Sequence, residues 1–252
     1  MLTTRQFLVR GLLAGLLAGV LAFAVAYLVG EPPVRASIAI EEAASAGAAP
    51  EEMGTVVPRS LQSSLGLLTA TTIVGATLGG LVAVLSALAL GRFGRLGARG
   101  CTLLVTATGF VTVYVVPFLT YPPNPPAVGR PETIGYRTEL YFTMALISVI
   151  AGITALVSGR RLARRWGAWY AALAVVAGYL VVVLVAGQLL PSYDEVPTGF
   201  PAEVLYGFRK ASFLTQLTLW TALGLTLAEL TARRHRQTVR VPGRRPLVDA
   251  GR

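Results

Sequence analysis

Oxygen donors gather in two short polar stretches of this chain. Residues 121–139 hold Asn124, Glu132 and Glu139, and residues 191–210 hold the adjacent carboxylates Asp194 and Glu195 between Pro191 and Pro197. Carboxylates and amide carbonyls suit hard divalent cations; a softer transition metal prefers imidazole or thiolate, and neither stretch has one. Asn124, Glu132, Glu139, Asp194 and Glu195 are therefore candidate metal ligands. Glu132 and Glu139, seven apart, share a face if helix starts early. The same stretches carry Arg130, Arg137, Arg209 and Lys210. A second chemistry is thus open on equal terms: these cations pair with the acids and lock the stretches together, with Arg137 and Arg209 as the principal ties. Pro122, Pro123, Pro125, Pro126 and Pro131 fix φ and suppress helix. Gly129 and Gly135 are expected to supply φ freedom at the bends.

Other chemistry finds no support in the residues. The chain has no Walker lysine loop, no His-Glu-x-x-His, no Gly-x-Ser-x-Gly and no paired cysteines. Its one histidine, His235, stands among arginines, and its one cysteine, Cys101, excludes an intrachain disulfide. These absences argue against an enzyme and against a bound cofactor. If the chain moves a substrate uphill, the energy comes from a gradient or from another subunit.

The elements that must position the polar stretches are membrane helices. Of the 252 residues, 54% are hydrophobic and only 13% charged, against about 25% charged in soluble domains. A span needs ~20 predominantly apolar residues, because lipid offers the backbone no hydrogen-bond partner. Six segments qualify: about 8–29, 65–90, 101–119, 140–157, 168–190 and 212–230. They predict an all-α bundle occupying residues 1–232, followed by a basic tail, 233–252. The main polar groups at membrane depth, among them Thr106, Thr112, Thr215 and Gln216, are read as hydrogen-bonding between helices or to their own backbone. Tyr and Phe near one boundary and Trp166 and Trp169 near the other read as aromatic belts.

Charge orients the bundle. Arg5 and Arg10, Arg92 to Arg99, Arg160 to Arg165 and the tail arginines from Arg233 onward collect on one side, where the only acids are Glu229 and Asp249. Short cytoplasmic loops hold the excess of Lys and Arg. That side is read as cytoplasmic, with both termini inside and the acidic loops outside. The net charge of +10 then reflects membrane orientation and not nucleic-acid binding, and the tail reads as a positive-inside anchor at the bilayer surface. Near-exclusive use of Arg over Lys points to a prokaryotic plasma membrane. A cleaved leader is the competing reading of the N-terminus. The long uncharged run 11–30 and the spacing of Gly11, Gly15 and Gly19, which lets helices approach closely, favour a retained span.

The first polar block, Tyr121 to Gly129 with Pro131 to Gly135 and Arg137 to Tyr141, resembles the signature of the CbtA family of cobalt transporter subunits. Glu195 to Pro197, Phe200 to Ala202, Phe208, Arg209, Ala211, Ser212, Gln216, Leu219 and Trp220 are similar to that family in the same order. So is the opening Gly11 to Gly19 span with Glu31, Pro32, Glu41 and Glu42 after it. The resemblance implies a membrane subunit that takes up cobalt, Co²⁺ being its cargo, beside a small single-span, histidine-containing subunit, CbtB. The alternative is a non-transporting scaffold whose ion-paired outer loops dock a partner.

Overall fold

The computed structural model describes residues 4–45, 57–92 and 96–239, with side chains placed through 232 except at 45. All regular structure among them is helical. The helices are α1 (Thr4–Val25), α2 (Glu31–Ser45), α3 (Arg59–Leu61), α4 (Leu67–Ala89), α5 (Ala98–Gly109), α6 (Val116–Thr120), α7 (Ile134–Leu189) and α8 (Ala202–Val239). Turns of π-helix at Ala26–Gly30, Gln62–Gly66 and Phe110–Val115 join α1 to α2, α3 to α4 and α5 to α6 into continuous rods. Five helical units are long and apolar enough to cross a membrane: Thr4–Ala44, Arg59–Ala89, Ala98–Thr120, Pro131–Leu189 and Ala202–Ala232. The chain is thus an all-helical membrane protein. Its rods run past the expected limits of the spans, most clearly where α1 continues as helix to Ser45. The tail expected from 233 begins inside α8, and its residues 240–252 lie outside the described residues.

The longest unit is two helices. At Gly167 the backbone takes φ 79°, ψ 161°, a conformation open to glycine and strained for other residues. Beyond it the chain turns back: the Ser148 hydroxyl and the Tyr179 hydroxyl lie 2.7 Å apart, and a Cβ on Gly159 would touch Val175. The apolar segments expected at 140–157 and 168–190 are therefore the arms of one hairpin.

Close backbone approach holds α1 to α4. A Cβ on Gly11 would lie 2.2 Å from the Gly79 carbonyl oxygen, one on Gly15 2.0 Å from that of Gly75, and one on Gly19 2.5 Å from that of Thr71. The pairing runs in opposite directions along the two helices, so they are antiparallel, and only glycine admits it. Phe7, Ala14, Ala18 and Ala22 of α1 form a core with Val82, Ala83, Leu219, Trp220, Leu223 and Leu227. Helix α8 meets α5 through small residues as well: Gly109 lies under the Trp220 ring and Gly224 against Thr106. Threonines in the spans bond back to their own helices, Thr106 to the Thr102 carbonyl at 2.8 Å and Thr112 to that of Thr108 at 2.9 Å. Cys101 is packed in the interior with its Sγ 3.8 Å from the Ser86 carbonyl oxygen.

Proline explains two of the π-turns. Pro32 and Pro33, just after Ala26–Gly30, have no N–H to continue an α-helical ladder, and Glu31 N–H reaches back five residues to the Ala26 carbonyl. The same arrangement precedes Pro117, where Val116 N–H bonds to the Val111 carbonyl. Pro117 also cannot donate to the carbonyl of Val113, and the Tyr141 hydroxyl approaches that oxygen at 3.5 Å.

Candidate functional site

One end of the bundle gathers both polar stretches, the start of α8 and the chain around Glu31; the opposite end carries the arginines of α1, α5 and the Gly167 turn. The arginine-rich end is tied by an ion pair between Arg99 of α5 and Glu229 of α8. At the loop end the contacts are more numerous and join segments far apart in sequence.

The ties begin with aromatic and proline residues. After α6 the chain leaves helix at Tyr121, whose hydroxyl donates to the Pro191 carbonyl at 2.8 Å. Its ring stacks on that of Tyr193, with centroids 5.5 Å apart and planes within 4°. Burial pushes both phenols up from the ordinary value of 10.0, so each stays a neutral hydrogen-bonding group. The hydroxyl of Ser37 in α2 donates to the Pro126 carbonyl. The two polar stretches and the α1–α2 rod thereby meet.

Arginines complete the lock. Arg137, in the second turn of α7, places Nε 3.5 Å from Oε2 of Glu195 and donates from Nη2 to the Arg130 carbonyl at 3.4 Å. Its buried Nε has no hydrogen-bond acceptor, so the Glu195 contact is an ion pair without an aligned bond. Arg130 N–H donates to the same Oε2 at 3.0 Å. The Thr133 hydroxyl, the Arg130 N–H and the nearby charges of Arg137 and Arg130 hold the Glu195 carboxyl below its ordinary value of 4.5. Arg209 donates to Asn124 Oδ1 at 2.9 Å from Nη2 and to the Pro123 carbonyl at 3.4 Å from Nε. Gly129 is required twice over, by its φ of 109° and because a Cβ there would lie 2.4 Å from the Arg137 guanidinium. Gly135, expected at a bend, instead sits in the first turn of α7, since the bend closes earlier, with Ala127 at φ 64° and Gly129.

The five candidate ligands thus stand apart. Glu195 is bound to Arg137 and Arg130, and Asn124 to Arg209. Asp194 caps its own turn, accepting the Val196 N–H at 3.2 Å. Glu132, in a short 3₁₀ turn, and Glu139, on α7, are exposed. Among the described residues, no group of three or more His, Cys, Asp or Glu side chains is placed to hold a metal ion.

Among the described residues, the most buried acid at the loop end is a carboxylate outside this set. Glu31 is 6% exposed and accepts from Arg59 Nη2 at 2.7 and 2.9 Å, with Arg35 Nε at 3.4 Å. It opens on a cavity of about 360 Å³ lined also by Tyr114, Pro123, Ser212, Thr215 and Gln216. Sequence reasoning places Glu31 on the outer face with the other acids and does not single it out. The available signal was its place one residue after an uninterrupted apolar run, before two prolines. A second cavity of about 360 Å³ lies beside the arginine lock, between Tyr121, Asn124, Arg137, Tyr141 and Tyr193.

The family model described as "Probable cobalt transporter subunit (CbtA)" matches residues 4–232. Neither a curated protein nor a solved structure matches.

Proposed function

The chain belongs to the CbtA family of probable cobalt transporter subunits, and from that membership we propose that it is the membrane subunit of a cobalt uptake system rather than an enzyme. In this reading the bundle crosses a prokaryotic plasma membrane six times, the hairpin at Gly167 supplying two crossings. The loop end faces outward, and both termini lie in the cytoplasm. The positive-inside rule supports the orientation, because Arg92, Arg99, Arg160, Arg161, Arg164 and Arg165 lie at the end opposite the loops. The α1 helix is retained in the mature chain, since its glycines pack backbone to backbone against Gly75 and Gly79 of α4.

The observation that carries the proposal is the tied loop end above an apolar bundle with cavities beneath it. Exposed Glu132, Glu139 and Asp194 raise the local concentration of a divalent cation. Glu195 and Asn124, being engaged by Arg137 and Arg209, favour a second role for that pair: they hold the loops in shape. A small single-span subunit would supply the imidazole that this loop end lacks. Cobalt flux into vesicles containing the purified chain, alone and with such a subunit, tests the proposal. Uptake dependent on the chain is expected. Its absence under both conditions would leave the scaffold reading, in which the locked loops dock a partner.

A further inference from the structure

We propose that the cavity beside Glu31 is a divalent-cation site, built from the Glu31 carboxylate with Tyr114, Thr215 and Gln216, in which Arg59 holds the carboxylate until an ion displaces it. The inference rests on the cobalt reading above and gives that function a place within the bundle.

Four observations carry it. A carboxylate buried to this degree at the edge of an apolar bundle is costly to ionise without a partner, and the two partners present, the hydrogen-bonded Arg59 and the more distant Arg35, are themselves 41% and 65% exposed and free to swing into solvent. The hydroxyl of Tyr114 is buried with no hydrogen-bond partner in a residue that lines the same cavity. Thr215 and Gln216 add two further oxygens, and the volume of about 360 Å³ leaves room for an ion that keeps several waters, each occupying ~30 Å³. Finally, two of the π-turns line this one cavity, the first through Ala26 and Gly30 and the third through Tyr114. Irregular helix turns recur at functional sites. In transporters, interrupted helices mark substrate and ion sites.

A carboxylate, an amide, hydroxyls and water form an all-oxygen set. Arg59 and a divalent ion cannot both occupy Glu31, so the guanidinium acts as a tethered competitor. It keeps the buried acid neutralised when the site is empty and yields it when the ion arrives. This distinguishes a cation site from a structural ion pair, because removing Arg59 has opposite effects in the two cases.

The test is equilibrium binding of CoCl₂ to the purified full-length chain in lipid nanodiscs, with uptake into vesicles measured in parallel. Arg59→Gln should tighten cobalt binding by on the order of tenfold, the worth of one charge-assisted hydrogen bond. Glu31→Gln should abolish it, and Gln216→Leu, which leaves the Glu31–Arg59 pair intact, should weaken it. If Glu31→Gln disturbs folding, the double variant Glu31→Gln with Arg59→Gln removes the carboxylate together with the guanidinium hydrogen-bonded to it, leaving only the exposed Arg35, and should also fail to bind. Weaker binding in Arg59→Gln, or unchanged binding in Gln216→Leu and in the double variant, would overturn the site while leaving cobalt transport intact. A wild-type chain that neither binds nor moves cobalt would overturn the transport reading and the site with it.

Discussion

Glu195 makes two weak contacts in place of one strong one, an N–H from Arg130 and a poorly aligned ion pair with Arg137, beside the Thr133 hydroxyl, which donates to the Arg130 carbonyl. Because these contacts lower its folded-state pKa, the stabilisation is present above pH 4.5, its ordinary value, and is lost as pH falls through the lowered folded value. The loop lock is therefore expected to survive mild acid and to open only below that range. Proteolysis of the 121–133 segment across a pH series should show this onset, and Glu195→Gln should remove it. Glu195→Gln should also lower the amount of chain in the membrane by leaving Arg137 with an unmatched charge, and adding Arg137→Gln should restore it. Normal abundance with lost cobalt uptake in Glu195→Gln, unrescued by the second change, would instead make Glu195 a ligand. The acids and arginines could be named from sequence as partners or ligands. Which arginine meets which acceptor could not, because Arg137 and Glu195, or Arg209 and Asn124, meet only through the turns at Ala127, Gly129 and Gly199.

Among the helices, the α1–α4 pair should be the least tolerant of added volume. Gly15→Ala would place a methyl carbon 2.0 Å from the Gly75 carbonyl oxygen, where backbone cannot yield cheaply. A loss of about 1–3 kcal/mol or more is expected, measurable as a drop in the melting temperature of the detergent-solubilised protein. Gly178→Ala, with nothing near its Cβ, is the control and should be neutral. The stripe Gly11, Gly15, Gly19 was visible in sequence as a helix-packing face. Its partner was not, since Gly75 and Gly79 are two among 27 glycines and spacing alone does not select them. Segment ends were the least legible feature: apolar content marks where a helix meets lipid, whereas hydrogen bonding carries α1 through Pro32 and Pro33 into polar chain by way of a π-turn.

At the scale of the whole molecule, sidedness can be tested by labelling. Cys101 is a poor reporter because it is buried, so the background should be Cys101→Ser. In that background a cysteine at exposed Thr198 should react with an impermeant maleimide added to intact cells, and one at exposed Arg165 should react only after permeabilisation. The reverse pattern would invert the bundle. Composition and the distribution of arginine made the all-helical membrane class legible without any tertiary information, because lipid imposes its demands on each span separately. The Glu31 cavity was hidden because it depends on four separate units meeting at one depth.

The first π-turn has a bearing on chain length. A π-turn holds one residue more than the α-turn it replaces, and one residue corresponds to about 100° of rotation. Deleting a single residue between Ala26 and Gly30 would regularise the helix while swinging Glu31 off the cavity and away from Arg59. Homologous chains are therefore expected to keep the number of residues between Gly19 and Glu31 fixed while varying the apolar side chains between them, so that length itself is the selected trait in this stretch.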